Sequence, residues 1–304
     1  MNSEPKSPFP AHIRSIAVTA PAGQPDGEKL QNELDFISRF VNVKCYLAVP
    51  DGDTPAYLAG EKSDRLALLN AAIKDPDIDM ILCARGGFGS MHLLDGIDYD
   101  TLRQRNLPLM GYSDITAIHC AMLAKNAGVP IAGSNLIGWQ AICRDQYSFQ
   151  AHQAALNAAP QKVELTASPQ KIRSVFAQGP QTVSAPAYAA NLTVLAALCG
   201  TDFMPDFSNY ILILEDVNEP LYKVDRMLTQ LQMAGVFKNL SALAVGCFTG
   251  IDNMAGLEEL FCRIAQANNI PFFAGFQFGH TMPMGAINAR KTLTLSDGQF
   301  PAVS

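Results

Sequence analysis

The chain lacks the features that mark nucleic-acid-binding and membrane proteins. Its 304 residues carry 22 Lys and Arg against 28 Asp and Glu, a net charge of −6, and no run of five like charges occurs. Nucleic acids and anionic membranes are bound by clustered Lys and Arg, so neither partner is expected. No apolar segment reaches the roughly 18 residues that a membrane span requires. The stretch 1–18 also lacks the pattern of an export signal.

The cysteine pattern argues against a disulfide framework and against a zinc site. Seven is an odd number, no CxxC pair occurs, and most of the cysteines lie in apolar runs such as MILCARGG and AVGCFTG. Buried, reduced thiols of this kind are typical of cytoplasmic proteins. With no export signal, the sequence predicts a cytoplasmic location.

The first 135 or so residues alternate short apolar runs with amphipathic helical stretches. Hydrophobic residues make up 48% of the chain and charged residues 16%, which is typical of a well-packed soluble protein. Strands are predicted at 15–21, 43–49, 77–87, 107–113 and 129–135, with helical segments between them. Near-continuous apolar strands that alternate with helices predict a parallel sheet covered on both faces. Ligands bind such sheets beyond the carboxyl ends of the strands.

A weaker pattern rich in Pro, Gln and Ser separates this region from a second alternating one. The later elements are predicted as helices at 190–199, 221–234 and 255–267 and as strands at 210–217, 241–250 and 271–280, with a terminal strand from residue 291. The predicted fold is α/β. An N-terminal three-layer parallel-sheet domain (1–140) is followed by a crossover (141–183) and a C-terminal α/β domain (184–304). The cleft between the two domains is the expected active site.

Ser113 stands where an apolar strand turns into a helix, within LPLMGYSDITAIHC. Gly111 two residues earlier and the strand-to-helix turn fit a nucleophile elbow, and amide groups at the start of a helix can bind an oxyanion. The second glycine of G-x-S-x-G is absent, because Ile115 occupies that position. A plain helix N-cap explains the same pattern, so the residues alone leave both interpretations open.

A serine nucleophile needs a base, and that base normally needs an orienting carboxylate. His280 ends the predicted strand 271–280 and precedes a Pro/Gly loop, although an ordinary surface-loop histidine fits equally well. Glu215 directly follows four apolar strand residues, where a carboxylate is costly unless something binds it. Asp216 and Glu219 are candidates for capping the next helix.

Arg85-Gly86-Gly87-Phe88-Gly89 forms a glycine-rich loop after a buried strand. It matches neither the dinucleotide fingerprint G-x-G-x-x-G nor a P-loop. Its glycines would let the backbone approach a substrate or donate N–H groups. A tight turn with Arg85 in a salt bridge is the structural alternative.

Four stretches in this order resemble signatures of one family, the LD-carboxypeptidases. This family of serine peptidases includes muramoyltetrapeptide carboxypeptidases and the microcin C7 self-immunity proteins. The resemblance spans about residues 15–295. The matching stretches are AYLAGEKSDRLALLNAAIKDPDIDMILCARGGFGSMHLL, GYSDITAIH, LEDVNEPLYKVDRMLTQL and GFQFGHTMPMGAI.

The resemblance implies a Ser-Glu-His triad, with Ser113 as nucleophile, His280 as general base and Glu215 as the orienting carboxylate. It also implies an oxyanion hole made by the backbone N–H groups of Asp114 and Gly87. The family's two-domain fold places the site in the cleft. Its members are typically homodimers that need no metal and no other cofactor.

The implied substrate is a murein tetrapeptide that loses its terminal D-alanine during peptidoglycan recycling. Arg85 is the candidate partner of the leaving residue's carboxylate, because a guanidinium pairs bidentately with it, and Gly86 of the same loop is a candidate substrate contact. The chain departs from the family pattern at Ala189-Ala190 and at Ala132-Gly133-Ser134. Both segments are expected to line the cleft.

Two other functions stay open on the sequence. A microcin C7-type self-immunity amidase that cleaves aminoacyl-sulfamoyl adenylates would need a nucleoside pocket, for which Trp139, the single tryptophan, is available. A non-catalytic binding protein with two domains would use the same cleft, but such proteins are usually exported.

Overall fold

The polypeptide forms two sheets, each built around parallel strands. The computed structural model describes residues 7–49, 52, 54–157, 163–176 and 182–304. Its strands, numbered along the chain, are β1 (Ser15–Thr19), β2 (Asn42–Tyr46), β3 (Met80–Cys83), β4 (Pro108–Gly111), β5 (Val129–Ala132), β6 (Val163–Glu164), β7 (Arg173–Phe176), β8 (Thr182–Asn191), β9 (Ile211–Val217), β10 (Ala242–Thr249), β11 (Phe272–Ala274), β12 (Ile287–Asn288), β13 (Thr292–Ser296) and β14 (Ala302–Val303). Its helices are α1 (Gly27–Ile37), α2 (Lys62–Lys74), α3 (Tyr99–Arg105), α4 (Thr116–Ala124), α5 (Trp139–Arg144), α6 (Gln146–Leu156), α7 (Leu192–Ala197), α8 (Leu221–Met233) and α9 (Met254–Asn268). Among these helices, none has the length and apolar character needed to cross a bilayer.

The N-terminal sheet has helices on both faces. Its strand order is β12-β5-β4-β3-β1-β2, parallel from β5 to β2, with the short β12 antiparallel at one edge. Ile16 and Met80 belong to a buried cluster that includes residues of α1 and α5, whereas Ala17 and Ile81 pack with residues of α2 and α4. Alternate residues of a strand point to opposite faces, so both faces need an apolar cover. The predicted three-layer arrangement is confirmed.

The C-terminal sheet continues the same core. Its order is β6-β14-β13-β8-β9-β10-β11-β7, and the four strands from β8 to β11 are parallel. Strand β9 is buried along all but its last residue, as its apolar run predicts. One hydrophobic cluster contains residues of α4, α7, β8 and β9. The two units are therefore packed against each other through a shared apolar interior.

Helix α6, within the predicted crossover, connects the two units. The Tyr147 O–H donates to Gln277 O at 3.2 Å, and the Met284 N–H donates to Ser148 Oγ at 2.8 Å. Both partners lie in the segment that carries His280. The crossover also supplies β6 and β7, which pair with β14 and β11 of the C-terminal sheet. This segment is therefore part of the packed structure and fixes the position of the His280 loop.

The predicted strand 271–280 is only partly correct. Strand β11 ends at Ala274, because Gly275 has a φ of +97° and its backbone passes close to Lys171. A Cβ at Gly275 would lie 2.6 Å from Lys171 O. Residues 275–280 therefore form a loop, and His280 reaches the site from this loop and not from a strand end.

His152 of α6 is buried as a neutral imidazole. Its Nδ1 lies 2.7 Å from Ser148 O, a carbonyl that can only accept, and its Nε2 accepts from the Ser134 N–H at 2.9 Å. Burial lowers the pKa of His152 from 6.5 to about 4, and the hydrogen bond to Ser148 offsets only part of this shift. The folded protein therefore binds this proton less readily than the unfolded chain does.

The free energy of unfolding is expected to fall as the pH drops from 6.5 to about 4. Over this interval the unfolded chain binds the His152 proton and the folded protein does not. The contribution of His152 amounts to about 3 kcal/mol. His152→Gln removes the titrating group, so urea unfolding followed by circular dichroism should show a shallower pH dependence. An identical slope in the variant would contradict a neutral buried imidazole.

Candidate active site

Ser113 lies on a strained turn between β4 and α4. Its φ is +64°, a left-handed conformation that costs a non-glycine residue about 1–3 kcal/mol. A short 3₁₀ turn, Ser113–Ile115, leads directly into α4. The hydroxyl makes no capping hydrogen bond, so the N-cap interpretation is wrong. The turn instead exposes Ser113 to a cavity of about 550 Å³.

Glycines allow the chain to pack closely around Ser113. A Cβ on Gly86 would lie 2.9 Å from Ser113 Cβ and 3.2 Å from its Oγ, and a Cβ on Gly111 would lie 2.9 Å from Asn135 Oδ1. The glycine loop therefore contacts the serine with its backbone. Gly87, the next residue of the loop, has a φ of +102° and lines the same cavity. Within the described part of the chain, its N–H makes no hydrogen bond.

Asp114 fixes the serine turn to the end of the glycine loop. The Ser90 N–H donates to Asp114 Oδ2 at 2.8 Å, and the Ser90 hydroxyl donates to Asp114 O at 2.6 Å. Both residues are buried, so these hydrogen bonds are protected from water. The sequence patterns did not identify Ser90, because its role depends on a contact 24 residues away.

His280 is hydrogen-bonded to a fully buried carboxylate. Its Nδ1 lies 2.8 Å from Glu215 Oε2. An ionised carboxylate only accepts, so Nδ1 carries the proton and Nε2 is the acceptor of the neutral ring. Glu215 is 0% exposed in β9, whereas His280 lies in the cavity wall with its ring 5.0 Å from that of Tyr112. The two predicted partners of Ser113 are thus brought together, and His280 shares the cavity with the serine.

Both pKa values of this pair are raised, each for a different reason. Burial raises the pKa of Glu215, and hydrogen bonding to His280 and Asn191 offsets part of that shift. Burial alone would lower the pKa of His280, but its hydrogen bond to Glu215 and the negative charges of Glu215 and Asp216 raise it above the ordinary 6.5. The ring is therefore a stronger base than a free imidazole.

Asn191 connects the Glu215 carboxylate to the helix that follows Ser113. Its Nδ2 donates to Glu215 Oε1 and to Asp216 Oδ1, both at 3.1 Å, and its backbone N–H donates to Thr116 Oγ1 at 3.1 Å. Asp216 also accepts from the Thr193 N–H at 2.9 Å. It does not cap α8, so that alternative is wrong. Asn191 thereby joins the C-terminal carboxylates to α4 of the N-terminal unit.

Charged residues line the cavity beside Ser113. The Arg85 guanidinium donates to Gln24 O at 2.6 Å and makes no salt bridge with any residue that the structure describes, so the described residues do not support the salt-bridge alternative for Arg85. Asp26 and Lys29 at the start of α1 also line the cavity, and the sequence patterns missed both. Among the described residues, no group of three or more His, Cys, Asp or Glu side chains could hold a metal ion.

The two departures from the family pattern lie away from the cavity. Ala189 and Ala190 are buried in β8, and Gly133 packs against His152. Asn135, which directly follows the second departure, and Ile137 do line the cavity. The expectation that both segments line the cleft is therefore wrong for the departing residues themselves, which are buried, whereas the second segment reaches the cavity through Asn135.

Comparisons of the sequence and of the structure with known proteins lead to the same family. Family models of the LD-carboxypeptidase N-terminal and C-terminal domains match residues 16–133 and 184–295. The chain is 32% identical to the murein tetrapeptide carboxypeptidase of Pseudomonas aeruginosa over 253 residues, 80% of this chain and 81% of that protein. It is 25% identical to the microcin C7 self-immunity protein of Escherichia coli over 300 residues, 90% of this chain and 86% of that protein. The crystal structure of muramoyltetrapeptide carboxypeptidase from Oxalobacter formigenes matches with a TM-score of 0.78 and 25% identity, covering 95% of this chain and 97% of that one. The chain belongs to the LD-carboxypeptidase family.

Proposed function

We propose that the protein is a serine carboxypeptidase that removes the terminal D-alanine from murein tetrapeptides. The observation that carries this proposal is the strained Ser113 in one cavity with His280, whose ring is hydrogen-bonded to the buried Glu215. A base oriented by a carboxylate near an exposed serine fits acyl transfer. The names of the murein peptidase relatives support the substrate class. A cytoplasmic homodimer active in peptidoglycan recycling remains a prediction.

The chemistry would follow the triad pattern. Ser113 Oγ attacks the carbonyl carbon of the L-configured centre before D-alanine, and His280 Nε2 takes the serine proton. His280 then gives that proton to the leaving amine, and water hydrolyses the acyl-enzyme with His280 again as base. The structure has no hydrogen bond between the Ser113 hydroxyl and His280. Substrate binding must therefore bring these atoms to about 2.6–3.2 Å.

The oxyanion would be bound by two backbone donors. The Asp114 N–H follows the serine, and the Gly87 N–H lies in the cavity wall with no partner of its own among the described residues. Donors already fixed before reaction stabilise the developing charge without reorganisation, and each contributes about 10²–10³-fold to turnover. The hydrogen bonds between Asp114 and Ser90 hold these two donors relative to each other.

The leaving residue carries a free carboxylate, which needs a cationic partner. Arg85 uses one Nη1–H for Gln24 O, and its remaining guanidinium donors, which have no partner among the described residues, would bind the carboxylate. Lys29 supplies a second positive charge at the cavity wall. Gly86 lines the same cavity, and its backbone contacts Ser113, which would place it next to a bound substrate.

The nucleoside alternative has less support from the site. Trp139, the single tryptophan and the residue that the sequence offered for stacking on a base, is fully buried and stacks on Phe9 with ring centroids 5.3 Å apart. It therefore does not face the cavity. The Glu215–His280 hydrogen bond, in turn, favours catalysis over passive binding in the cleft. The names of the murein peptidase relatives and the basic residues of the cavity together support a murein peptide as the substrate.

Purified protein given L-Ala-γ-D-Glu-meso-diaminopimelate-D-Ala should release D-alanine, measured by mass spectrometry. Ser113→Ala should lower kcat by at least about 10³-fold, because the nucleophile is lost. Ser184→Ala, a change of an exposed serine on β8, should leave kcat unchanged. Full activity of Ser113→Ala would refute the triad. Cleavage of an aminoacyl-sulfamoyl adenylate in place of the peptide would favour the immunity function.

The pH profile should report the raised pKa of His280. Since the neutral ring is the base, the acid limb of kcat/KM should lie above pH 6.5. Glu215→Gln removes the negative charge that does most to raise the pKa of His280, and burial, which lowers this pKa, remains. The acid limb should therefore move to lower pH, and kcat should fall about 10²–10⁴-fold. Glu258→Gln breaks only an exposed ion pair with Arg173 and should leave the limb in place. A limb that stays fixed in Glu215→Gln would contradict the pairing.

Gly86→Ala should lower kcat/KM by about 10²-fold, because the new methyl group displaces Ser113 from its position. Gly27→Ala is the matched control, since a Cβ there meets nothing within 4 Å. Steady-state kinetics and thermal melts of both variants check this. Wild-type kinetics in a folded Gly86→Ala would show that the serine does not depend on the glycine loop.

A further inference from the structure

Arg65 is a buried cation that the triad does not use. It lies in α2 and is 2% exposed. Its guanidinium makes no salt bridge in the described part of the chain, although the charges of Asp114 and Glu61 act on it. Burying a cation without a bonded carboxylate is costly, so its hydrogen bonds must compensate for the lost water.

Those hydrogen bonds go to the backbone of three separate segments. Arg65 Nε donates to Gly60 O at 2.9 Å, and Nη1 donates to Pro21 O at 2.6 Å and to Gly89 O at 2.9 Å. Nη2 lies 3.5 Å from His92 Nδ1. One planar group with several fixed donors thus joins the loop after β1, the residues before α2 and the end of the glycine loop.

The packing around Gly89 shows that the segments joined by Arg65 lie close together. Gly89 has a φ of +111°, and a Cβ there would lie 2.5 Å from Leu58 Cδ2 and 3.2 Å from Arg65 Nη1. The other end of the loop is held by the Gly23 N–H, which donates to Gly86 O at 2.9 Å. Gly87 lies between these two fixed points.

We propose that Arg65 is a positioning residue that acts through Gly89 to hold the Gly87 N–H at the distance from Ser113 that oxyanion stabilisation requires. Arg65 is not a catalytic residue, because its guanidinium is engaged by backbone carbonyls and is buried away from the cavity. The expected effect of Arg65 on kcat rests on the proposed function, whereas its expected effect on the position of the glycine loop does not depend on that function.

Arg65→Ala should free the glycine loop. Hydrogen exchange of residues 84–90 is expected to rise at least about 10-fold. On the murein tetrapeptide, kcat should fall about 10²-fold while KM changes less than about threefold, because the lost contact acts on the transition state. Added guanidinium ion, which fits the space left by the side chain, should restore part of kcat and part of the protection.

Arg105→Ala is the matched control. Arg105 also donates to two backbone carbonyls, but these belong to Ile73 in the last turn of α2 and to Ile78 just before β3. It should lower thermal stability without raising exchange at 84–90 or lowering kcat. If Arg65→Ala does not fold, Arg65→Lys replaces it. A lysine keeps the charge but cannot reproduce the planar fork, so the same changes are expected at smaller size.

Unchanged exchange at 84–90 in a folded Arg65 variant would overturn the proposal. So would a raised exchange with wild-type kcat, because the loop position would then not matter for turnover. If the wild-type protein does not cleave murein peptides, the exchange data still test the loop contact. The rate at which a fluorophosphonate labels Ser113 then replaces kcat as the kinetic readout, since that reaction also develops charge on an oxygen in the oxyanion hole.

Discussion

The buried carboxylate of Glu215 is the constraint on which the rest of the site depends. It enters β9 at a fully buried position, where an unpaired charge would be costly. Two side chains from distant parts of the chain satisfy it: Asn191 at the end of β8 and His280 on the loop after β11. The same hydrogen bond that satisfies the carboxylate fixes the His280 tautomer and raises its pKa. The Glu215–His280 hydrogen bond therefore both stabilises the buried carboxylate and makes the His280 ring a stronger base.

The N-terminal unit supplies the other half of the site, and the contact between the units sets its geometry. Ser113 is held by its strained turn, by the adjacent glycine loop and by the Asp114–Ser90 hydrogen bonds. Thr116, in the first turn of α4, accepts from the Asn191 backbone N–H. The distance between Ser113 and His280 is thus determined by a buried interface and not by loop positions alone, which is how side chains are kept within a fixed geometry.

The sequence pattern predicted the features that depend on neighbouring residues, and it did not predict those that depend on contacts between distant residues. The apolar run before Glu215 predicted both strand β9 and a bound carboxylate, and both are present. The loop that delivers His280 was predicted as strand, because its departure at residue 275 depends on a backbone contact 104 residues away with Lys171. The sequence does contain an indication that Arg65 is buried. Arg65 precedes Leu69 by four residues and lies on the buried stripe of α2. A charged residue on an apolar stripe indicates a buried polar contact, but its partners cannot be deduced from spacing.

The central claim is that Ser113, activated by the Glu215–His280 pair, is the nucleophile. Peptide mapping by mass spectrometry after reaction with a fluorophosphonate tests this claim most directly, with D-alanine release measured on the same sample. We expect one adduct, on Ser113, and a loss of hydrolysis in proportion to labelling, with both slowed below the pKa of His280. Hydrolysis that continues in fully labelled protein, or an inactivating adduct on another residue, would contradict it.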